Sequence, residues 1–93
     1  MNIGLITAKL YAPWVHSLKE KRMIVNSICS RLKNKFNVSV CETAQQDVHQ
    51  TIVIGIVFLA SSKSLSDSIY ENIQSFIESN TEAEIVEINL EMR

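Results

Sequence analysis

"FNVSVCETAQQDVHQTIVIGIVFLA", residues 36–60, is the stretch that decides the fold of this chain. Its first part, residues 36–43, alternates between apolar and polar side chains in the manner of a half-buried strand. Residues 51–60 form the most hydrophobic run in the sequence, and a short polar connector separates the two parts. Because short connections join neighbouring antiparallel strands, the stretch predicts a β-hairpin in the middle of the chain.

The chain before this hairpin predicts a strand followed by a helix. Residues 2–12 alternate with a period of two, and Pro13 ends the strand in a turn. From Leu18 the apolar period becomes that of an amphipathic helix. Ser17, with Glu20 three residues later, is the pattern of a capping box, in which each side chain bonds a backbone N–H at the helix start.

The chain after the hairpin repeats this plan with a helix and a final strand. Ser64 and Asp67 are predicted to cap the second helix, whose apolar stripe runs from Leu65 to Ile77. The alternation that follows predicts a strand with these residues on one face: Val86, Ile88, Leu90 and Met92.

The element order β-α-β-β-α-β contains two strand–helix–strand units, each of which takes a right-handed crossover. It predicts a ferredoxin-like α+β fold, in a single domain over residues 1–93. The sheet is expected to be four-stranded and antiparallel, in the order 4-1-3-2, with both helices on one face. A different α+β sandwich built from the same elements is the alternative.

This topology brings the first loop, the start of helix 1 and the hairpin connector to one end of the sheet. The candidate ligand-binding residues at this loop edge are Trp14, His16, Asp47 and His49. Two histidines without local ligand spacing do not predict a metal site. Since the chain also has no glycine-rich phosphate loop or catalytic motif, we expect neither enzymatic activity nor a cofactor.

Charge is divided unevenly along the chain. Lys9 to Val40 holds seven basic residues and one acidic residue, whereas the remainder holds two basic and nine acidic residues. The basic residues of helix 1 are candidates for binding an anion or the phosphates of an RNA. The alternative is that they pair within the protein or face solvent, with Arg22 against Asp47. Lys21 falls on the apolar stripe, where its ammonium group is expected to reach water. The candidates are Lys19, Lys21, Arg22, Arg31, Lys33 and Lys35.

The hydrophobic strand, residues 51–60, is apolar on both of its sides. Because both helices cover the same face of the sheet, the other side of this strand is expected to be exposed. An exposed apolar surface of this kind often marks a protein interface. We therefore predict a homodimer or a higher oligomer. Its candidate interface residues are Val53, Val57 and Leu59.

Composition points to a cytoplasmic protein. No apolar run approaches the ~18 residues that span a bilayer, so no membrane association is expected. The chain opens directly into an alternating segment rather than a secretion signal. Cys29 and Cys41 are expected to be reduced structural thiols, since a cytosolic setting disfavours a disulfide.

Three motifs together resemble those of the YlxP-like family of small bacterial proteins, a domain of unknown function. They are "SLKEKR" at residues 17–22, "RLKNKFNVSV" at 31–40 and "QD" at 46–47. The resemblance implies a ferredoxin-like fold, a cytoplasmic location and a link to translation, because family genes often lie beside those for initiation and ribosome-maturation factors. It implies no activity or cofactor. After "QD" the family usually has an aromatic residue, Gln and a basic residue, whereas residues 48–51 read Val-His-Gln-Thr.

These observations leave three functional hypotheses. The first is an RNA- or ribosome-associated binding protein that uses the basic face of helix 1. The second is an oligomeric or protein-interaction module with complementary basic and acidic faces. The third is a small protein that binds an anion or another ligand at the loop edge.

Overall fold

The computed structural model describes residues 2–45 and 48–93. Its strands pair antiparallel in one sheet in the order β2-β3-β1-β4, which confirms the predicted ferredoxin-like α+β arrangement. The elements are β1 (Asn2–Tyr11), α1 (Leu18–Lys35), β2 (Ser39–Ala44), β3 (Thr51–Ala60), α2 (Lys63–Asn80) and β4 (Glu84–Met92).

The core lies between the sheet and the two helices. β1 and β3 pair along their whole length, from Asn2 opposite Ala60 to Tyr11 opposite Thr51. Their alternate residues face the helices, and Ile6 and Ile54 are fully buried there. The period of two predicted which residues face inward, so it also placed the core on one face of the sheet.

Helix α1 begins where local sequence chemistry places it. The Ser17 hydroxyl accepts a hydrogen bond from the backbone N–H of Glu20 at 3.1 Å, which confirms the Ser17 half of the capping box. The Glu20 carboxylate instead accepts a hydrogen bond from that same hydroxyl at 3.4 Å.

No helix in the described part of the chain is long and apolar enough to cross a membrane.

Helix α2 begins earlier than predicted. Its N-cap is Ser62, whose hydroxyl accepts from the backbone N–H of Leu65, so the assignment of the cap to Ser64 and Asp67 is wrong. Several serines stand close together here, and the extended backbone of Ser62 settles which one caps. In the first turn, Leu65 is 43% exposed although the sequence predicts it on the apolar stripe, and Ser66 is buried, with its hydroxyl donating to the carbonyl of Ser62.

Strand β4 departs from the predicted alternation because it contains a bulge. Lys9 of β1 lies opposite Glu87, but the next residue, Leu10, lies opposite Ile85. Val86 is therefore an extra residue in the ladder, and it is 55% exposed rather than on one face with Ile88 and Leu90 as predicted. Ile85 packs against the core in its place.

Gly4 leaves the space that the ring of Phe58 occupies in the core. The two residues are register partners on β1 and β3, and a Cβ atom at Gly4 would lie 2.3 Å from the Phe58 ring. Phe58 is 3% exposed, so its ring has little room to move aside. We expect Gly4→Ala to lower the free energy of unfolding by about 1–3 kcal/mol through overpacking, measured by urea denaturation.

Gly55→Ala is the matched control. A Cβ atom at Gly55 would meet mainly the Cγ2 methyl of Thr43, at 2.7 Å, and that exposed side chain can rotate away. An equal loss of stability in both variants would contradict the account of the Phe58 ring.

Candidate functional site

The loop after β1 and the connector between β2 and β3 meet at one end of the sheet, as predicted. The backbone N–H of Ala12 donates to the carbonyl of Gln50 at 2.8 Å. The Gln50 side-chain amide in turn donates to the carbonyl oxygens of Pro13 at 3.0 Å and Val15 at 3.4 Å. One side chain of the connector thus holds the loop that leads into α1.

Lys21 is buried inside this end of the molecule. Its side chain is 1% exposed, and its Nζ atom lies 2.8 Å from Oε2 of Glu42 on β2. The same ammonium group donates to the carbonyl oxygens of Gln45 and Val48, the latter at 2.7 Å. The prediction that this ammonium reaches water is wrong, and the burial removes Lys21 from the candidates for an external anion site.

The Lys21 side chain ties the connector to the first turn of α1. Burial of an ammonium group is costly unless charge and hydrogen bonds compensate for it, and Lys21 obtains one carboxylate and two carbonyls. Gln45 has a positive φ of 58°, and its carbonyl also accepts from the backbone N–H of Val48. We call this set of contacts from Lys21 to Glu42, Gln45 and Val48 the Lys21 anchor.

Three of the remaining cations form a row on the outer flank of α1. Lys19, Arg22 and Lys33 are exposed, and positions i, i+3 and i+14 of a helix fall on one face. Asn26 completes the stripe at i+7, and the row extends about 21 Å along the helix axis. Within residues 2–45 and 48–93, these three cations have no hydrogen bond or ion pair. Asp47, the predicted partner of Arg22, lies outside the described residues.

The other two predicted cations lie on the opposite flank of α1, against α2. Arg31 donates to the backbone carbonyl of Asn80 at 3.4 Å, where it supplies the positive charge that the last turn of α2 lacks. Lys35 lines a groove together with Phe76 and Asn80 of α2. The structure therefore divides the predicted basic face in two, and we call Lys19, Arg22 and Lys33 the cation row.

Most of the exposed acidic residues among those that the structure describes lie on the other side of the molecule. β2 and α1 stand at one side of the sheet, whereas β4 forms the opposite edge. Helix α2 and strand β4 carry these exposed acids: Asp67, Glu71, Glu78, Glu84, Glu87 and Glu91. The charge asymmetry of the sequence is thus also an asymmetry in space.

Three of the loop-edge candidates, Trp14, His16 and His49, lie in the described part of the chain, whereas Asp47 lies outside it. His16, His49 and Trp14 are exposed. In the part of the chain that the structure describes, no group of three or more His, Cys, Asp or Glu side chains is arranged to hold a metal ion. Trp14 instead lines a groove between α1 and the end of α2.

Both cysteines are free thiols, as expected. Cys29 on α1 is half-buried, and burial raises the pKa of its thiol even though Lys33 partly lowers it. Cys41 is exposed on the face of β2 away from the helices, where it lies opposite Gly55. The raised pKa lowers the reactivity of the Cys29 thiol, because the thiolate is the nucleophile.

The candidate interface residues lie on the open face of the sheet, the face away from the helices. Leu59 is 61% exposed and Val57 40%, while Val53 is half-buried. Ile3, the register partner of Leu59 on β1, adds an apolar side chain that is 43% exposed. The structure therefore brings these apolar residues together on one surface.

Sequence reasoning missed Glu42, which holds Lys21. A signal for it existed, because a lysine within an apolar helical stripe predicts an acidic partner on the strand that the helix covers. Glu42 is the one acidic residue that the sequence places in strand β2. The carbonyl oxygens of Gln45 and Val48 gave no such signal, since any residue type carries a carbonyl.

Comparison with known proteins relates the chain to proteins described as uncharacterised. The family model with the description "Protein of unknown function (DUF503)" matches residues 3–90. A relative from Bacillus subtilis (strain 168), the "Uncharacterized protein YlxP", is 40% identical over 68 residues. The matched region covers 73% of this chain and 74% of the relative. These similarities confirm the resemblance seen in the sequence motifs.

We expect Lys21→Met to lower the free energy of unfolding by about 3–5 kcal/mol, because it leaves the Glu42 charge and two carbonyls without the ammonium group. Urea denaturation measures the loss. Adding Glu42→Gln to this variant removes the carboxylate charge that Lys21 balances in the wild type and should restore part of the stability.

Lys19→Met, two residues earlier on an exposed position, is the matched control and should change stability by no more than about 0.5 kcal/mol. Similar losses for the two single variants would show that the Lys21 anchor contributes nothing specific.

Proposed function

The chain belongs to the DUF503 family of proteins of unknown function, and from that premise we propose that it is a non-enzymatic, cytoplasmic RNA-binding protein. Its ligand is the phosphate backbone of a folded RNA, such as that of a ribosomal subunit, and its binding surface is the outer flank of α1. The observation that carries the proposal is the cation row, whose members are exposed and spaced along one helix face.

The position of two of these cations supports a role outside the helix. Lys19 and Arg22 stand near the N-terminus of α1, where the helix dipole favours acidic residues. Their placement costs helix stability, and no partner for them occurs among the described residues. A phosphate group from outside offsets that cost, since it is attracted both by the side chains and by the N-terminal end of the helix.

The dimensions of the row suit a nucleic-acid backbone. An extent of about 21 Å along the helix compares with one phosphate charge for every ~1.7 Å of duplex axis, so three cations can each meet a different phosphate. Such contacts position a protein on RNA without reading its sequence. Binding through the row alone is therefore expected to be sequence-tolerant and weakened by salt.

The separation of basic and acidic residues in the molecule orients the protein as it approaches an RNA. The acids of α2 and β4 lie on the side away from the row, so they repel an RNA that approaches in the wrong orientation. This arrangement lets a protein with a net charge of −1 present a positive face to RNA.

We expect wild-type protein to co-sediment with ribosomal subunits at low salt and to bind labelled ribosomal RNA fragments in an anisotropy assay. Replacing any one cation of the row should reduce the magnitude of the slope of log K against log salt concentration by about one. The variants are Lys19→Glu, Arg22→Glu and Lys33→Gln, chosen because acids near the start of α1 favour the helix.

Lys63→Glu is the matched control, because it changes the same charge at the start of α2, away from the row. It should lower affinity little and should leave the salt slope close to that of the wild type. If wild-type protein stays in the supernatant at low salt, or if Lys63→Glu weakens binding as much as Lys19→Glu, the row is not an RNA-binding surface.

A second candidate function is self-association through the open face of the sheet. Ile3, Val57 and Leu59 expose a continuous apolar surface there, of the kind that marks interfaces. A second copy is the proposed occupant, because a two-fold axis parallel to the strands lays the apolar surface of one copy on that of the other and places the β2 edge, on the side of the basic helix α1, over the acidic β4 edge. The cation row on α1 stays accessible in such a dimer.

Light scattering at micromolar concentration should give the mass of a dimer, and Leu59→Glu should give that of a monomer. Leu65→Glu is the matched control, because Leu65 is also an exposed leucine but lies on α2. In the wild type, alkylation of Cys41 on the open face should slow as the protein concentration rises. A wild type that remains monomeric throughout this range rules out the dimer.

A further inference from the structure

A groove of about 300 Å³ lies between the outer surface of α1 and the end of α2. Its walls combine apolar, cationic, amide and acidic side chains, and its volume is at the lower end of the range for small-molecule sites. We call it the Trp14 groove. The lining residues that matter here are Trp14, Met23, Ser27, Arg31, Asn80 and Glu82.

The apolar wall of the groove consists of two exposed side chains, those of Trp14 and Met23. Trp14 is the single tryptophan of the sequence, and it is 42% exposed. Met23, on the first turns of α1, is 66% exposed and has the flexible side chain typical of adaptable binding surfaces. An exposed indole ring beside a methionine offers a flat surface on which an aromatic ligand can stack.

The charges of the groove narrow the class of ligand. Glu82 alone beside Trp14 would suit a cation, but Arg31 lines the same groove and repels one. An anion without further groups would in turn be repelled by Glu82. A ligand that suits all three side chains has an aromatic ring, an anionic group and N–H donors.

We propose that the Trp14 groove binds an unpaired guanosine nucleotide of the RNA held by the cation row, an inference that rests on the proposed function. Guanine presents two neighbouring N–H donors on its Watson–Crick edge, which match the two oxygens of the Glu82 carboxylate. The base stacks on Trp14, and Arg31 binds the phosphate.

Arg31 can make this contact at little cost. Its hydrogen bonds to the backbone carbonyl and the side-chain oxygen of Asn80 are both 3.4 Å long, beyond the usual range. Exchanging one of them for a charge-assisted bond to phosphate is favourable.

The groove lies within reach of an RNA on the cation row. Met23 follows Arg22 directly on α1, so the wall of the groove begins at the edge of the row. A single unstacked nucleotide can therefore turn across the helix into the groove while the flanking backbone follows the row. Reading an unpaired base in this way is the usual mode of sequence-specific RNA recognition.

The single tryptophan makes the test specific to this groove. We expect GMP to shift the one indole N–H cross-peak in a proton–nitrogen correlation spectrum, and UMP to shift it far less. Glu82→Gln should weaken GMP binding roughly tenfold and leave the response to UMP unchanged. Arg31→Gln should weaken the binding of GMP but not of guanosine, which has no phosphate.

The outcomes separate this inference from the proposed function. If labelled RNA binds but no nucleotide shifts the Trp14 cross-peak, the groove proposal fails and the cation row stands. If GMP shifts the cross-peak but RNA does not bind at low salt, the row fails and the groove remains a nucleotide site. Equal responses to the four mononucleotides, or a response only to aromatic peptides, overturn the assignment to guanosine.

Discussion

The buried ammonium group of Lys21 is the constraint on which the functional end of this molecule depends. A lysine with 1% exposure is stable only where a carboxylate and carbonyl oxygens surround it. Glu42, Gln45 and Val48 provide them, and all three belong to the β2–β3 hairpin. The first turn of α1 and the hairpin are therefore held together, and the cations on the outer flank of that turn have a fixed position.

The Lys21 anchor also gives neighbouring basic residues different roles. In residues 19–22, the side chain of Lys21 points into the protein, whereas those of Lys19 and Arg22 point out of it. Helical geometry produces this division, since positions 19 and 22 lie on one face and position 21 lies about 100° beyond position 22. One charged segment thus supplies both a structural anchor and two cations of the proposed RNA-binding surface.

Much of the fold could be predicted from the sequence because it follows from local periodicity. The alternation in β1 and β3, the helical period from Leu18 and the Ser17 cap each depend on neighbouring residues alone. The errors have two different causes. The bulge at Val86 comes from pairing with the distant strand β1. The cap of α2 is a local choice among neighbouring serines that the sequence does not rank, and the extended backbone of Ser62 decides it. The Trp14 groove joins residues 14, 31 and 82, which no local pattern connects.

Lysine reactivity, mapped by mass spectrometry with and without ribosomal RNA, tests the central claim most directly. In the free protein, Lys21 should resist amine modification while Lys19, Lys33, Lys35 and Lys63 react readily, because Lys21 alone among these is buried. RNA should then protect Lys19 and Lys33 but leave Lys35 and Lys63 reactive. Modification of Lys21 at the rate of Lys63, or protection by RNA that is equal at all exposed lysines, would contradict the division of cations between anchor and binding surface.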